Sequence, residues 1–134
     1  ALGRHPKDRT RMRIDQAGKF AVTNFEVLDE ATFASYIKLN LETGRTHQIR
    51  VHMMSLGHPV FSDSTYGGRG KQLTGMNPAR TKFVNRLFKK FTRQMLHARI
   101  LSFAHPMTDE LISFESPIPQ DMQELWHILK SSTV

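Results

Sequence analysis

The chain has 134 residues, enough for one domain that buries roughly two-thirds of its unfolded surface, and no cysteine, which excludes disulfides, thiolate metal sites and a cysteine nucleophile. No run approaches the roughly 18 apolar residues of a membrane span, and the polar opening ALGRHPKDRTRMRI has no signal-peptide core, so a cytosolic location is the default expectation. Net charge is +7; residues 43–99 carry eleven Lys or Arg against Asp63 alone, whereas residues 100–134 hold one Lys and five acids. Such a local excess suits a phosphate-facing surface, or else a solvated basic face.

In chain order, MRI within RMRID alternates and predicts a short strand, and Gly18 marks a turn. Lys19 to Leu28, KFAVTNFEVL, predicts a second strand whose more apolar face carries Ala21, Thr23, Phe25 and Val27. Asp29-Glu30-Ala31 reads as a hairpin connection, because Thr32 to Glu42 alternates again, with Phe33, Ser35, Ile37, Leu39 and Leu41 facing one way; the two strands should pair antiparallel. After Gly44 the period becomes that of a helix, with Ile49, Met53 and Leu56 on one stripe, Thr46 placed to cap and Gly57 as the stop.

Phe61 to Met76 is rich in Gly, Ser and Thr and predicts a long loop, followed by a helix over Pro78 to Phe91. Leu96 to Ala104 and Leu111 to Phe114 predict a hairpin around the turn signal His105 to Asp109. A last helix has Pro119 in its first turn and Ile118, Met122, Leu125 and Leu129 at helical spacing, with Trp126 beside them. No internal repeat or heptad array interrupts this order. The pattern predicts one α+β domain, an antiparallel or mixed β-sheet with helices packed on it.

The densest polar cluster is Arg45, Thr46, His47, Gln48, Arg50 and His52, at a strand-to-helix junction where N–H groups and the helix dipole favour an anion. Thr46 and Arg50 are four apart and share a helical face, while His47 and His52 point about 140° apart and cannot ligate one metal together. His97 and His105 are about 26 Å apart in an extended strand, so no metal site is expected. There is no nucleophile elbow and no phosphate loop of Walker or Rossmann type, since GGRG at Gly67 to Gly70 is too short and misplaced. A ribonuclease using two of the seven histidines stays open as a weaker reading.

Thr43 to His52 (TGRTHQIRVH), Leu56 to Pro59 (LGHP), Ser62 to Gly67 (SDSTYG) and Arg93 to Pro106 (RQMLHARILSFAHP) occur in an order that resembles the RluA-like family of RNA pseudouridine synthases. One departure is Ser62, where that family usually has Gly. The resemblance implies a pseudouridine synthase catalytic fold and an enzyme that detaches uracil from its ribose and rejoins it through carbon, with one Asp as nucleophile or base and no cofactor or metal. It implies RNA as partner, the ribosomal large-subunit RNA before transfer RNA, and no membrane.

By the same resemblance Arg50 is the basic residue that pairs with the reacting Asp, with Arg45, Thr46, His47, Gln48 and His52 supporting the active site. The family's HRLD-type motif, which carries that Asp, occurs nowhere in the chain, and Asp8 in HPKDRT lacks its context. Residues 1–134 are therefore expected to be the C-terminal portion of the catalytic domain, inactive alone. Arg69, Lys71, Lys82, Arg86, Lys89, Lys90 and Arg93 are candidate RNA-phosphate contacts, or a solvated helix face. Plain structural roles are the alternatives for His47, Gln48 and His52, and Asp63 and Tyr66 are expected to organise their loop. The competing function is a non-catalytic RNA-binding module.

Overall fold

Strand β1 (Leu2–Arg4) pairs antiparallel with β2 (Met12–Ile14), and Lys19 closes on the other edge of β1 through reciprocal 2.8 Å bonds with Leu2. The computed structural model describes residues 1–7, 11–69 and 78–132. β1 was not expected, because LGR offers only one apolar side chain to a pattern search; burial of Leu2 reveals it.

β3 (Thr23–Glu30) and β4 (Ser35–Leu41) form the expected antiparallel hairpin, but β3 runs through Asp29 and Glu30. The connection is Ala31 to Ala34, closed by the Ala31 N–H on the Ala34 carbonyl at 2.8 Å. A register shift between Val27 and Asp29 lets the strand continue past the point where its alternation falters. β5 (Ile100–Ala104) and β6 (Leu111–Glu115) make the other hairpin, starting later than Leu96. The α+β class stands, but among the described residues the strands form three separate two-stranded ladders instead of one sheet.

Helix α1 (Gln48–Ser55) follows β4, and its sequence-derived features need two corrections. His47, in the left-handed conformation at φ 53°, is the N-cap in place of Thr46, which lies outside the helix and exposed. The buried positions are Gln48, Val51 and Met53, whereas Leu56 of the expected stripe is 55% exposed. Val51 turns inward because Leu2 and Tyr66 pack against it. Gly57 does end the helix: at φ 80° its N–H bonds the Met54 carbonyl, and the next N–H, of His58, bonds that of Met53.

Two apolar clusters hold the chain. Leu2, Val51 and Tyr66, with Met12, Ala21 and Met54 against them, pack α1 on the first ladder. Leu87 and Phe91 meet Leu125 and Leu129 where α2 (Pro78–Lys90) crosses α3 (Gln120–Ser131), and Phe33 and Ala34 of the β3–β4 turn press onto the same cluster. Pro119 serves as N-cap of α3, one step earlier than expected. The turn is tied to α3 by Asp29, which accepts from Lys130 Nζ at 3.1 Å and from Trp126 Nε1 at 3.3 Å.

Replacing Leu129 by Ala should cost about 2–5 kcal/mol of unfolding free energy by leaving a cavity between α2 and α3. Lys82→Ala, on the exposed side of α2, should stay within about 0.5 kcal/mol of wild type. Urea denaturation followed by circular dichroism checks both.

Candidate active site

Gln48 builds the junction between β3 and α1. Its side chain is buried, and both ends are satisfied: Oε1 accepts from Thr43 Oγ1 at 2.7 Å and the Arg45 N–H at 3.0 Å, while Nε2 donates to the Val22 carbonyl at 2.8 Å and Thr23 Oγ1 at 2.9 Å. Thr43 Oγ1 in turn accepts from the Val22 N–H. One amide thus welds the TGRT turn to the start of β3, which sets where the helix begins. Arg45 lies along the outside, its Nε donating to the Phe20 carbonyl at 2.9 Å.

The two histidines leave the helix on different sides. Thr23 Oγ1 receives the Gln48 amide hydrogen and lies 2.8 Å from His52 Nδ1, within hydrogen-bond distance. His52 borders a cavity of about 370 Å³ lined also by Ala21, Thr23, Phe25, Met53 and Leu56. His47 Nδ1 instead meets Tyr66 Oη at 2.7 Å, and Tyr66 Oη also accepts the Met12 N–H at 2.9 Å. Burial, followed for His47 by the Arg50 charge, holds both imidazoles below their ordinary range.

Arg50 finds a carboxylate inside the chain. Its Nε donates to Asp63 Oδ2 at 2.8 Å and its Nη2 to Oδ1 at 2.9 Å, a bidentate pair in which the Asp63 side chain is wholly enclosed. Asp63 Oδ1 also accepts from the backbone N–H groups of Thr65 and Tyr66 at 3.2 and 3.3 Å, so the expected loop-organising role of Asp63 is visible. The Arg50 guanidinium carbon lies 4.8 Å from the centre of the Tyr66 ring, and that of Arg11 lies 5.2 Å from it. Burial, the largest influence, pushes the Asp63 carboxyl up, but the Arg50 bonds and charge and the two backbone donors together carry it below the usual carboxylate range. The same bonds raise Arg50.

The loop holding Asp63 has little freedom. A Cβ on Gly68 would stand 1.9 Å from the Val60 carbonyl oxygen, so only glycine allows the Asp63–Gly68 turn to close. Ser62 sits at φ 65°, a conformation that favours glycine, and offsets the strain with two hydrogen bonds: Oγ donates to the Phe91 carbonyl at 2.6 Å and accepts from Arg69 Nη1 at 2.9 Å.

The basic candidates divide. Arg69 stacks on Phe88 and donates to the Phe88 carbonyl; Arg93 grips Asp121 through two bonds of 2.6 and 2.8 Å; Lys90 pairs with Glu124. These three tie α2 to the Ser62 loop and to α3. Lys82, Arg86 and Lys89 recur along the exposed face of α2, and no carboxylate among the described residues pairs with them. Lys71 lies outside the described residues. Among those described, no three His, Cys, Asp or Glu come together as a metal site.

The sequence pattern of the RNA pseudouridylate synthase family matches residues 3–55. Ribosomal large subunit pseudouridine synthase D of Vibrio vulnificus is 45% identical over 129 residues, covering 96% of this chain and 38% of the relative. The Escherichia coli K12 protein of that name is 42% identical over 130 residues, covering 97% and 39%. The structure of human RNA pseudouridylate synthase domain containing 1 superposes with a TM-score of 0.61 at 26% identity, over 98% of this chain and 58% of that one. Over nearly all of its length the chain is similar to pseudouridine synthases of the RluA-like family. It spans less than two-fifths of the length of those two bacterial relatives. The matched stretch takes in β1 to β4 and α1, so Arg50 lies inside it and Asp63, Tyr66 and α2 lie beyond.

The three depressed groups of this site, His47, His52 and Asp63, bind fewer protons when folded than when unfolded, so stability should fall with acidification. The histidine contribution is present above about pH 6.5 and declines below it, and the Asp63 contribution is present above about pH 3.9 and is lost as pH falls further. Thermal unfolding from pH 8 to pH 3 should show both declines, with His52→Gln flattening the first and Asp63→Asn the second. A melting temperature unchanged between pH 8 and pH 5 would contradict the histidine assignment.

Proposed function

We propose that residues 1–134 form the arginine-bearing part of an RNA pseudouridine synthase that isomerises uridine in large-subunit ribosomal RNA in the cytoplasm. The observation that carries this reading is Arg50 itself. It stands in the family motif, clamped by Asp63 and covered by Tyr66, and its Nη1 donates to no acceptor among the described residues. A fixed guanidinium favours the ionised form of a second carboxylate brought within about 4 to 6 Å, which keeps that group competent at neutral pH.

The resemblance supplies that carboxylate from an HRLD-type segment that the 134 residues do not contain. In this reading the segment works as the C-terminal portion of a catalytic domain, and Arg45, Thr46, His47, Gln48 and His52 act as support for the helix that carries Arg50. The target uridine is flipped from its stack into the site, at a cost of a few kcal/mol. Lys82, Arg86 and Lys89 face the phosphates, since they alone among the described α2 candidates have no internal carboxylate. The absence of HRLD favours one second reading, an RNA-binding module without isomerisation.

The test measures RNA binding and pseudouridine formation together. Ribosomal RNA binding by this chain should weaken with salt, and the triple variant Lys82→Ala, Arg86→Ala, Lys89→Ala should reduce the slope of log K against log salt by about two. Arg93→Ala should leave that slope near wild type. A polypeptide joining this chain to an HRLD-type segment should form pseudouridine, while this chain alone forms none. Binding without turnover in the joined protein would establish the module reading.

A further inference from the structure

The Nε–Nη2 edge of Arg50 is the edge usually offered to a carboxylate as two parallel donors, and Asp63 fills it at 2.8 and 2.9 Å. Tyr66 covers one face of the guanidinium at 4.8 Å. Asp63 is itself immobilised: its side chain is fully enclosed, and Oδ1 carries the N–H groups of Thr65 and Tyr66 besides Arg50. What remains is the tip of Arg50. Nη1 is absent from the buried polar atoms that lack a partner, and no described residue accepts from it, so it reaches solvent.

A carboxylate arriving from elsewhere therefore meets Arg50 end-on, at Nη1 and the outer hydrogen of Nη2. We propose that Asp63 is a positioning residue, which holds Arg50 by its inner edge so that one guanidinium bridges two carboxylates, Asp63 within and the reacting Asp without. The role rests on the isomerase reading above. It gives a reason for arginine at residue 50 that charge alone does not. A lysine ammonium could satisfy the buried carboxylate or the incoming one, and it lacks the planar fork that fixes the direction between them. The bridge also shares one positive charge between two negative ones, so the reacting carboxylate senses Asp63 through Arg50.

The test uses the complete enzyme, this chain joined to its HRLD-type segment, assayed for pseudouridine formation as a function of pH. Asp63→Asn keeps the shape of the side chain and removes its charge. It should lower kcat by about 10- to 100-fold with KM within about twofold, because Arg50 loses its fixed direction. It should also move the acidic limb of the pH profile to lower pH, because the reacting carboxylate no longer shares Arg50 with a like charge. Leu129→Ala, remote from the site in the α2–α3 core, provides a destabilised control whose limb should not move.

Arg50→Lys preserves the charge and should lose at least about 100-fold in kcat. Asp63→Asn that merely lowers the melting temperature, with kcat and limb as in wild type, would overturn the assignment. So would Arg50→Lys retaining kcat within about threefold, a result that decides the matter even where Asp63→Asn does not fold. A complete wild-type protein that forms no pseudouridine overturns the isomerase reading and this role with it, which separates the two failures.

Discussion

A charge taken out of water must be paired, and the enclosed Asp63 carboxylate imposes that condition on its surroundings. Arg50 answers it from α1, and the backbone N–H groups of Thr65 and Tyr66 answer it from the loop. Because Asp63 cannot move, Tyr66 is set under the Arg50 and Arg11 guanidinium groups and against Leu2 and Val51. From there Tyr66 Oη reaches the β2 backbone at Met12 and the His47 ring. One ion pair thus joins a ladder, a helix and a loop that are distant in sequence. Desolvation makes such a pair a weak source of net stability, but losing one partner costs about 3–5 kcal/mol, so it fixes geometry more than it adds stability.

The parts of the fold legible in the sequence were those with long regular periods. α3 fell where the spacing of Met122, Leu125 and Leu129 put it, α2 fell within the stretch Pro78 to Phe91, and among the described residues the helices and the two longer hairpins came in the expected order. Short or interrupted elements were not legible. β1 has one buried residue, and the β3 bulge near Leu28 hid the strand's continuation. The buried face of α1 was misjudged because a buried glutamine, Gln48, occupies an inward position that a hydrophobic count assigns to solvent.

For the site, sequence motifs marked one segment and left open what each residue in it contacts. Gln48 emerges as the amide that closes the TGRT turn, and Thr46 gives up its capping role because His47 adopts the left-handed conformation at that point. The carboxylate that occupies Arg50 in this chain was visible in the sequence as the only acid among residues 43–99, a signal that its isolation in a basic stretch could have supplied. Which cations would face RNA could not be read from charge spacing. Lys90 and Arg93 look like Lys82 and Arg86 in sequence and differ only in having Glu124 and Asp121 across from them on α3.

The claim on which the account stands is that Arg50 and Asp63 act as one unit inside the folded chain. A double-mutant cycle with Arg50→Met, Asp63→Asn and the combined variant, read by urea denaturation at pH 7, measures this directly. The account requires a coupling energy of about 1–3 kcal/mol, with the double variant less destabilised than the two single losses added together. Single losses that add to within about 0.3 kcal/mol would contradict it and leave the pair without the organising role given to it here.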